Sequence, residues 1–188
     1  MKWKGLLGAA PFLGIITNLT LKTFQAKPLQ IYKALINPEQ LAELIYQAES
    51  WPNNSSLQWI WGNQIKAYIV IEIDPEEENK ISIDLLKKLP FLEEFEVSII
   101  QGLQYMPDFG ISRNQRIKSS KIHSEVISLL SKNWGNNCAK TIDNIHSLIE
   151  KRPNENCYIA SQQLGGMSWI NRRNESSFIH RDSIWKPW

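Results

Sequence analysis

The clearest periodic signal along the chain begins at Asn37-Pro38-Glu39. An Asn that can cap, a Pro suited to the first turn and an acid at the positive end of the dipole predict a helix start. Leu41, Leu44, Ile45 and Ala48 then recur at helical spacing and make one apolar stripe, which Trp51-Pro52-Asn53-Asn54 ends. Leu57–Trp61 and Ile65–Ile73 alternate or are β-branched, so they read as strands, and Gly62-Asn63 between them is a hairpin signal. Ile83–Leu89 reads as a short amphipathic helix closed by Pro90, and Glu94–Ile100 as a further strand. Residues 102–117 carry no clean period. Ser124–Trp134 and Thr141–Lys151 have helical spacing and are split by Gly135-Asn136-Asn137. Cys157–Leu164 reads as a late strand broken by Gly165-Gly166, and 171–188 is polar and aromatic without a strong period.

The first residues need a separate reading. Met1-Lys2-Trp3-Lys4 before the apolar stretch Gly5–Ile16 has the lengths of a secretory signal, but no small-x-small cleavage site follows, and Pro11 and Gly14 interrupt a helix. The stretch is also too short to span a bilayer. We read Gly8–Gly14 as a turn built from small residues, leading into a strand over Ile15–Phe24 that Lys27-Pro28 ends. No membrane association and a cytoplasmic location are the resulting expectations. Strands and helices joined by short connections predict an α+β fold, an antiparallel sheet with helices on one face.

Composition narrows the function classes. The 188 residues include 43% hydrophobic and 21% charged residues, which excludes a mainly disordered chain. Twenty-one basic against 19 acidic residues leave a net charge of +2, without the basic excess of a dedicated nucleic-acid binder. Cys138 and Cys157 lie in no metal-ligand spacing, and no metal site is expected.

Among the histidines, His123 and His146 lie in or beside amphipathic segments, whereas His180 sits in Phe178-Ile179-His180-Arg181-Asp182 between charged neighbours. Such a loop suits either an active-site imidazole or a salt-bridged terminal segment. Trp59 and Trp61 share one face of a strand, so with Tyr68 they form a candidate stacking surface for a glycan or small molecule; burial in the core is the competing use. No nucleophile elbow, phosphate loop or paired-carboxylate motif is present.

Gly8-Ala9-Ala10-Pro11-Phe12-Leu13-Gly14-Ile15-Ile16-Thr17 resembles a segment of FAD-linked oxidoreductases of the vanillyl-alcohol-oxidase-like group, above all its berberine-bridge-enzyme-like branch. Leu164-Gly165-Gly166-Met167-Ser168-Trp169 followed by Ser176-Ser177-Phe178-Ile179-His180-Arg181-Asp182 is similar to a later motif of the same family, and Lys118-Ser119-Ser120 to one between them. The resemblance implies a substrate domain that covers a flavin. It divides the chain into residues 1–26, the remnant end of a flavin-binding domain with one strand; 27–172, the substrate domain; and 173–188, a segment returning toward the flavin domain. It implies that Gly8, Ala9, Ala10, Gly14, Ile15, Gly165 and Gly166 approach the flavin, with His180 as the catalytic candidate. The family's flavin-binding region has no counterpart in the sequence, so FAD and a small-molecule substrate are expected only together with a complementary flavin-binding chain. A non-catalytic binding module and a nonfunctional truncation are the alternatives.

Overall fold

The computed structural model describes residues 15, 17–23, 25–73, 84, 86–101, 125–164, 180 and 182–188. Six strands form one antiparallel sheet. They are β1 (Leu29–Ile36), β2 (Ser55–Trp61), β3 (Ile65–Glu72), β4 (Glu96–Ile100), β5 (Ile159–Gln163) and β6 (Trp185–Pro187). In space they run β4-β1-β3-β2-β5-β6. Two longer α-helices among the described residues, α1 (Pro38–Ala48) and α2 (Cys138–Glu150), make the fold α+β.

Local chemistry accounts for α1. The Asn37 side chain accepts from the Gln40 amide at 2.8 Å, and the Gln40 side chain accepts from the Asn37 amide at 2.9 Å. This reciprocal cap satisfies two of the helix's free donors. Leu41, Leu44, Ile45 and Ala48 are fully buried, as their spacing predicts. The second helix buries Cys138, Ile142, Ile145 and Ile149 and starts at Cys138, earlier than Thr141, because the 3-10 turn Gly135–Asn137 leads into it. Both helices cover the same side of the sheet, packing with Leu57, Trp59, Trp61, Ile65, Ala67, Ile69 and Ile71 in a single core.

Four expectations need correction or extension. Among the described residues of 15–24 no strand forms; Ile15 is 93% exposed, and Leu19 and Leu21 are also exposed. An extended segment is stable only when a neighbour satisfies its ladder groups, and none among the described residues pairs with it. Residues 125–134 are not an α-helix. They run beside β6, where the Leu129 and Ser131 amides donate to the Pro187 and Trp185 carbonyls at 2.9 Å, and the Trp185 amide donates back to Ser131 at 3.0 Å. Pairing with the sheet outweighs a helix of that length, which is marginal without a packed face. β1 and β6 are strands that the periodicity does not predict. Asp84 and Leu86 are helical within the predicted 83–89 segment, and Leu86 and Leu89 are buried.

Two polar side chains tie the layers together. Glu49 Oε1 accepts from the Trp134 amide and from Trp185 Nε1 at 2.9 Å, and its Oε2 accepts from the Gly135 amide at 3.0 Å. The Gln163 side-chain carbonyl accepts from the Leu57 amide at 3.0 Å while Nε2 donates to the Ala48 carbonyl at 2.6 Å. By contrast, the buried hydroxyl of Ser161 has no hydrogen-bond partner among the described residues. Glu49→Ala should therefore lower stability by about 2–3 kcal/mol, since it orphans donors in three places, while Ser161→Ala should be neutral or slightly stabilising. Thermal unfolding followed by circular dichroism checks both; a neutral Glu49→Ala would show that these bonds contribute nothing.

Candidate functional site

Side chains alternate across a strand, so the register decides what each face of the sheet presents. The odd-numbered positions of β2 and β3 meet the helices. The even-numbered positions face the other way, with Lys33 of β1 and Gln162 of β5 in register beside them. Following the pairings across the sheet gives one continuous row: Glu96, Lys33, Tyr68, Gln58, Gln162 and Lys186, one residue from each strand. Every member carries a hydrogen-bonding or charged group. No other reason for six consecutive polar positions is needed than that this face is not part of the helix-covered core.

The row is not uniform. Lys33 Nζ lies 3.6 Å from Glu96 at one end, an exposed pair of modest strength. Tyr68 and the neighbouring Ile31 are each 1% exposed, so the middle of this face is closed to solvent. Gln58, Ile60, Gln162, Lys186 and Trp188 are half-buried. Lys186 Nζ sits 5.7 Å from the Trp188 ring centroid, a cation–π contact. Trp188 extends the face by exchanging backbone hydrogen bonds of 2.9 Å with Ala160. Tyr158 is 39% exposed and stands beside Gly62, where an added Cβ would meet its Cβ at 3.8 Å.

The sequence-predicted residues fall in three groups. Gly8, Ala9, Ala10, Gly14, Gly165 and Gly166 lie outside the described residues, as does His123. Ile15 is solvent-exposed. His180 is exposed in the turn before β6, where its carbonyl accepts from the Ser183 amide at 3.4 Å; Lys132 pairs with the nearby Asp182 at 2.9 Å. The proposed stacking surface is overturned: Trp59, Trp61 and Tyr68 are 0%, 4% and 1% exposed. Trp59 and Trp61 share a strand face as expected, but it is the face the helices cover. The aromatics that reach the open face, Tyr158 and Trp188, lie just outside the regular pattern of their strands, which left them without a periodic signal.

His146 has a separate setting. Its ring stacks on Trp61 at 5.5 Å and its Nε2 lies 3.7 Å from Glu150. Together with Asn63, Arg152, Asn154 and Glu155 it lines a cleft of about 420 Å³ at the β2–β3 hairpin. Arg152 donates to the Gly62 carbonyl at 3.1 Å and to the Asn63 side chain, so its guanidinium is already engaged in holding the hairpin. Among the described residues no group of three His, Cys, Asp or Glu is placed to hold a metal ion, and no helix is long and apolar enough to cross a membrane.

Neither cysteine is in a disulfide. Burial pushes the Cys138 thiol up to about 11, with Glu49 and Glu43 adding to the shift. The folded state thus keeps this proton while the unfolded chain loses it near the ordinary value of 9.0. The contribution is fully present below pH 9 and is lost as pH rises toward 11. Cys138 should alkylate far more slowly than Cys157 at pH 8, read by mass spectrometry of each peptide; equal rates would contradict its burial.

The fold is similar to part of two longer solved chains. Two solved structures similar to it are both of the glucooligosaccharide oxidase from Acremonium strictum. One was determined for the roles of its 6-S-cysteinyl, 8α-N1-histidyl FAD and has a TM-score of 0.55 at 14% identity. The other, which revealed a novel flavinylation, has a TM-score of 0.52 at 16% identity. They cover 86% and 87% of this chain, which spans only 38% and 37% of theirs. No family model and no curated protein matches the sequence.

Proposed function

We propose that this chain is the substrate half of an FAD-linked oxidoreductase, with the sheet face away from the helices as the side turned toward an alcohol-, sugar- or alkaloid-like substrate. The observation that carries the reading is the polar row from Glu96 to Lys186 on the face the helices leave free. Its amides can each donate to and accept from a hydroxyl, which suits a hydroxyl-rich substrate. That two fold neighbours are oxidases of glucooligosaccharides supports the same direction.

The described residues do not by themselves enclose a dinucleotide. The clefts of about 420 Å³ and 290 Å³ lie at the hairpin and beside Trp51. In this reading a complementary chain holds the flavin, and this one binds and orients substrate. Exposed Ile15, Leu19 and Leu21, and exposed Val126, Ile127 and Leu129, support such a partner, because runs of exposed large apolar side chains are a common mark of an interface. Gly8, Ala9, Ala10, Gly14, Ile15, Gly165 and Gly166 are the assigned points of approach to the flavin. His180 is the assigned proton acceptor at the reacting end of the substrate.

The test is to purify the tagged chain alone and from its native cells. The isolated chain should be colourless, and the native complex should contain a second polypeptide carrying FAD in equal amount. Within that complex His180→Ala should slow substrate oxidation by about a hundredfold or more while leaving the flavin bound. If no flavin associates with the chain in either form, the reading fails.

A further inference from the structure

We propose that two copies of this chain join along the sheet edge made by residues 126–130, strand against antiparallel strand, about a two-fold axis at Ser128. The inference goes beyond the flavoenzyme reading and leaves Ile15, Leu19 and Leu21 to a flavin-carrying partner.

This edge lies outside β6. The Leu129 and Ser131 amides turn inward and donate to the Pro187 and Trp185 carbonyls. Backbone groups alternate in direction along an extended chain, so those of Ser128 and Leu130 turn outward. Among the described residues, the backbone groups of 125–128 and of Leu130 have no hydrogen-bond partner. A row of such groups is a template for one more strand, and edges are commonly guarded against it by charge or proline. Neither occurs between Val126 and Ser131. Val126, Ile127, Leu129 and Leu130 are instead 67%, 69%, 61% and 40% exposed.

The order of residues identifies the occupant as a second copy. In an antiparallel ladder outward-turned residues pair with outward-turned residues, so the axis must fall on a residue. About Ser128 the pattern of polar and apolar positions reads the same in both directions. Ser128 meets Ser128, Ile127 meets the other copy's Leu129, and Val126 meets its Leu130. An axis on Leu129 would set Val126 against Lys132, and one on Ile127 would set Glu125 against Leu129. Charge favours the same arrangement. Antiparallel pairing about Ser128 leaves Glu125 of each copy one rung from the other's Lys132, whereas in-register parallel pairing would stack like charges. The opposite edge of the sheet lacks this match, since an axis on Ser98 of β4 would set Glu96 against Ile100.

Such a contact is isologous and closes at two chains. It would form about six backbone hydrogen bonds. The four apolar side chains of each copy and their backbone bring the buried area to on the order of 1,000 Å², at the small end for specific contacts, so the dimer is reversible.

Sedimentation velocity of the full chain between about 1 and 100 μM tests this, with a monomer–dimer equilibrium of Kd about 10 μM expected. Ile127→Lys and Leu129→Glu, both at exposed positions, should each weaken self-association about tenfold or more with unchanged thermal unfolding. Mixed together, the two variants should associate again, because the new ammonium and carboxylate face each other across the axis. A monomer throughout, assembly beyond dimers, a dimer undiminished in either variant, or no recovery on mixing would each overturn the proposal. Flavin content is read separately, so a failure here leaves the oxidoreductase reading standing.

Discussion

The arrangement depends on strand register. Each strand presents alternate residues to the helices, and sliding one strand by a single position would exchange its two faces. In the observed register Leu57, Trp59 and Trp61 enter the core while Gln58 and Ile60 remain outside. A one-residue slip of β2 would bury Gln58 without a partner and expose two tryptophans. Gln163 guards against this at the β5 side, since its side chain spans from the Leu57 amide to the end of α1. Glu49 does the same for β6, gathering Trp134, Gly135 and Trp185 around one carboxylate. The polar row on the free face exists because these contacts hold six strands in a single alignment.

Energetically the two faces are unequal. The helix side combines fully buried Trp59, Trp185, Leu41, Leu44, Ile45 and Ile69, and each large apolar side chain contributes about 2 kcal/mol by leaving water. The other side buries Ile31, Tyr68 and Ala160 and carries the polar row. Its closed centre at Tyr68 and Ile31 separates an ion-paired end at Glu96 from the aromatic and cationic end at Lys186. The row therefore has two unlike ends.

Much of the fold is legible in the chain. Asn37, Pro38 and Gln40 make a cap whose partners are all local, and Gly62-Asn63 sits between two strands with strong propensity, so neither needs tertiary information. β1 is not legible because Ile31 and Tyr32 are adjacent and both buried, which erases the period of two. β6 is three residues long and owes its conformation to β5 and to Ser131. Residues 125–134 have helical spacing, yet their hydrogen bonds go to β6, a competition that only the assembled sheet decides. The candidate site shows the same limit. That Trp59 and Trp61 share a face follows from their spacing; which face the helices cover does not.

The account's central claim is that the register turns Tyr158 and Trp188 outward and Trp59, Trp61 and Trp185 inward. Hydroxyl-radical footprinting of the folded chain, read residue by residue by mass spectrometry, tests it most directly. Tyr158 and Trp188 should oxidise readily, while the three inner tryptophans should stay protected until the chain is unfolded. Oxidation of Trp59 and Trp61 as fast as Trp188 in the folded chain would contradict it.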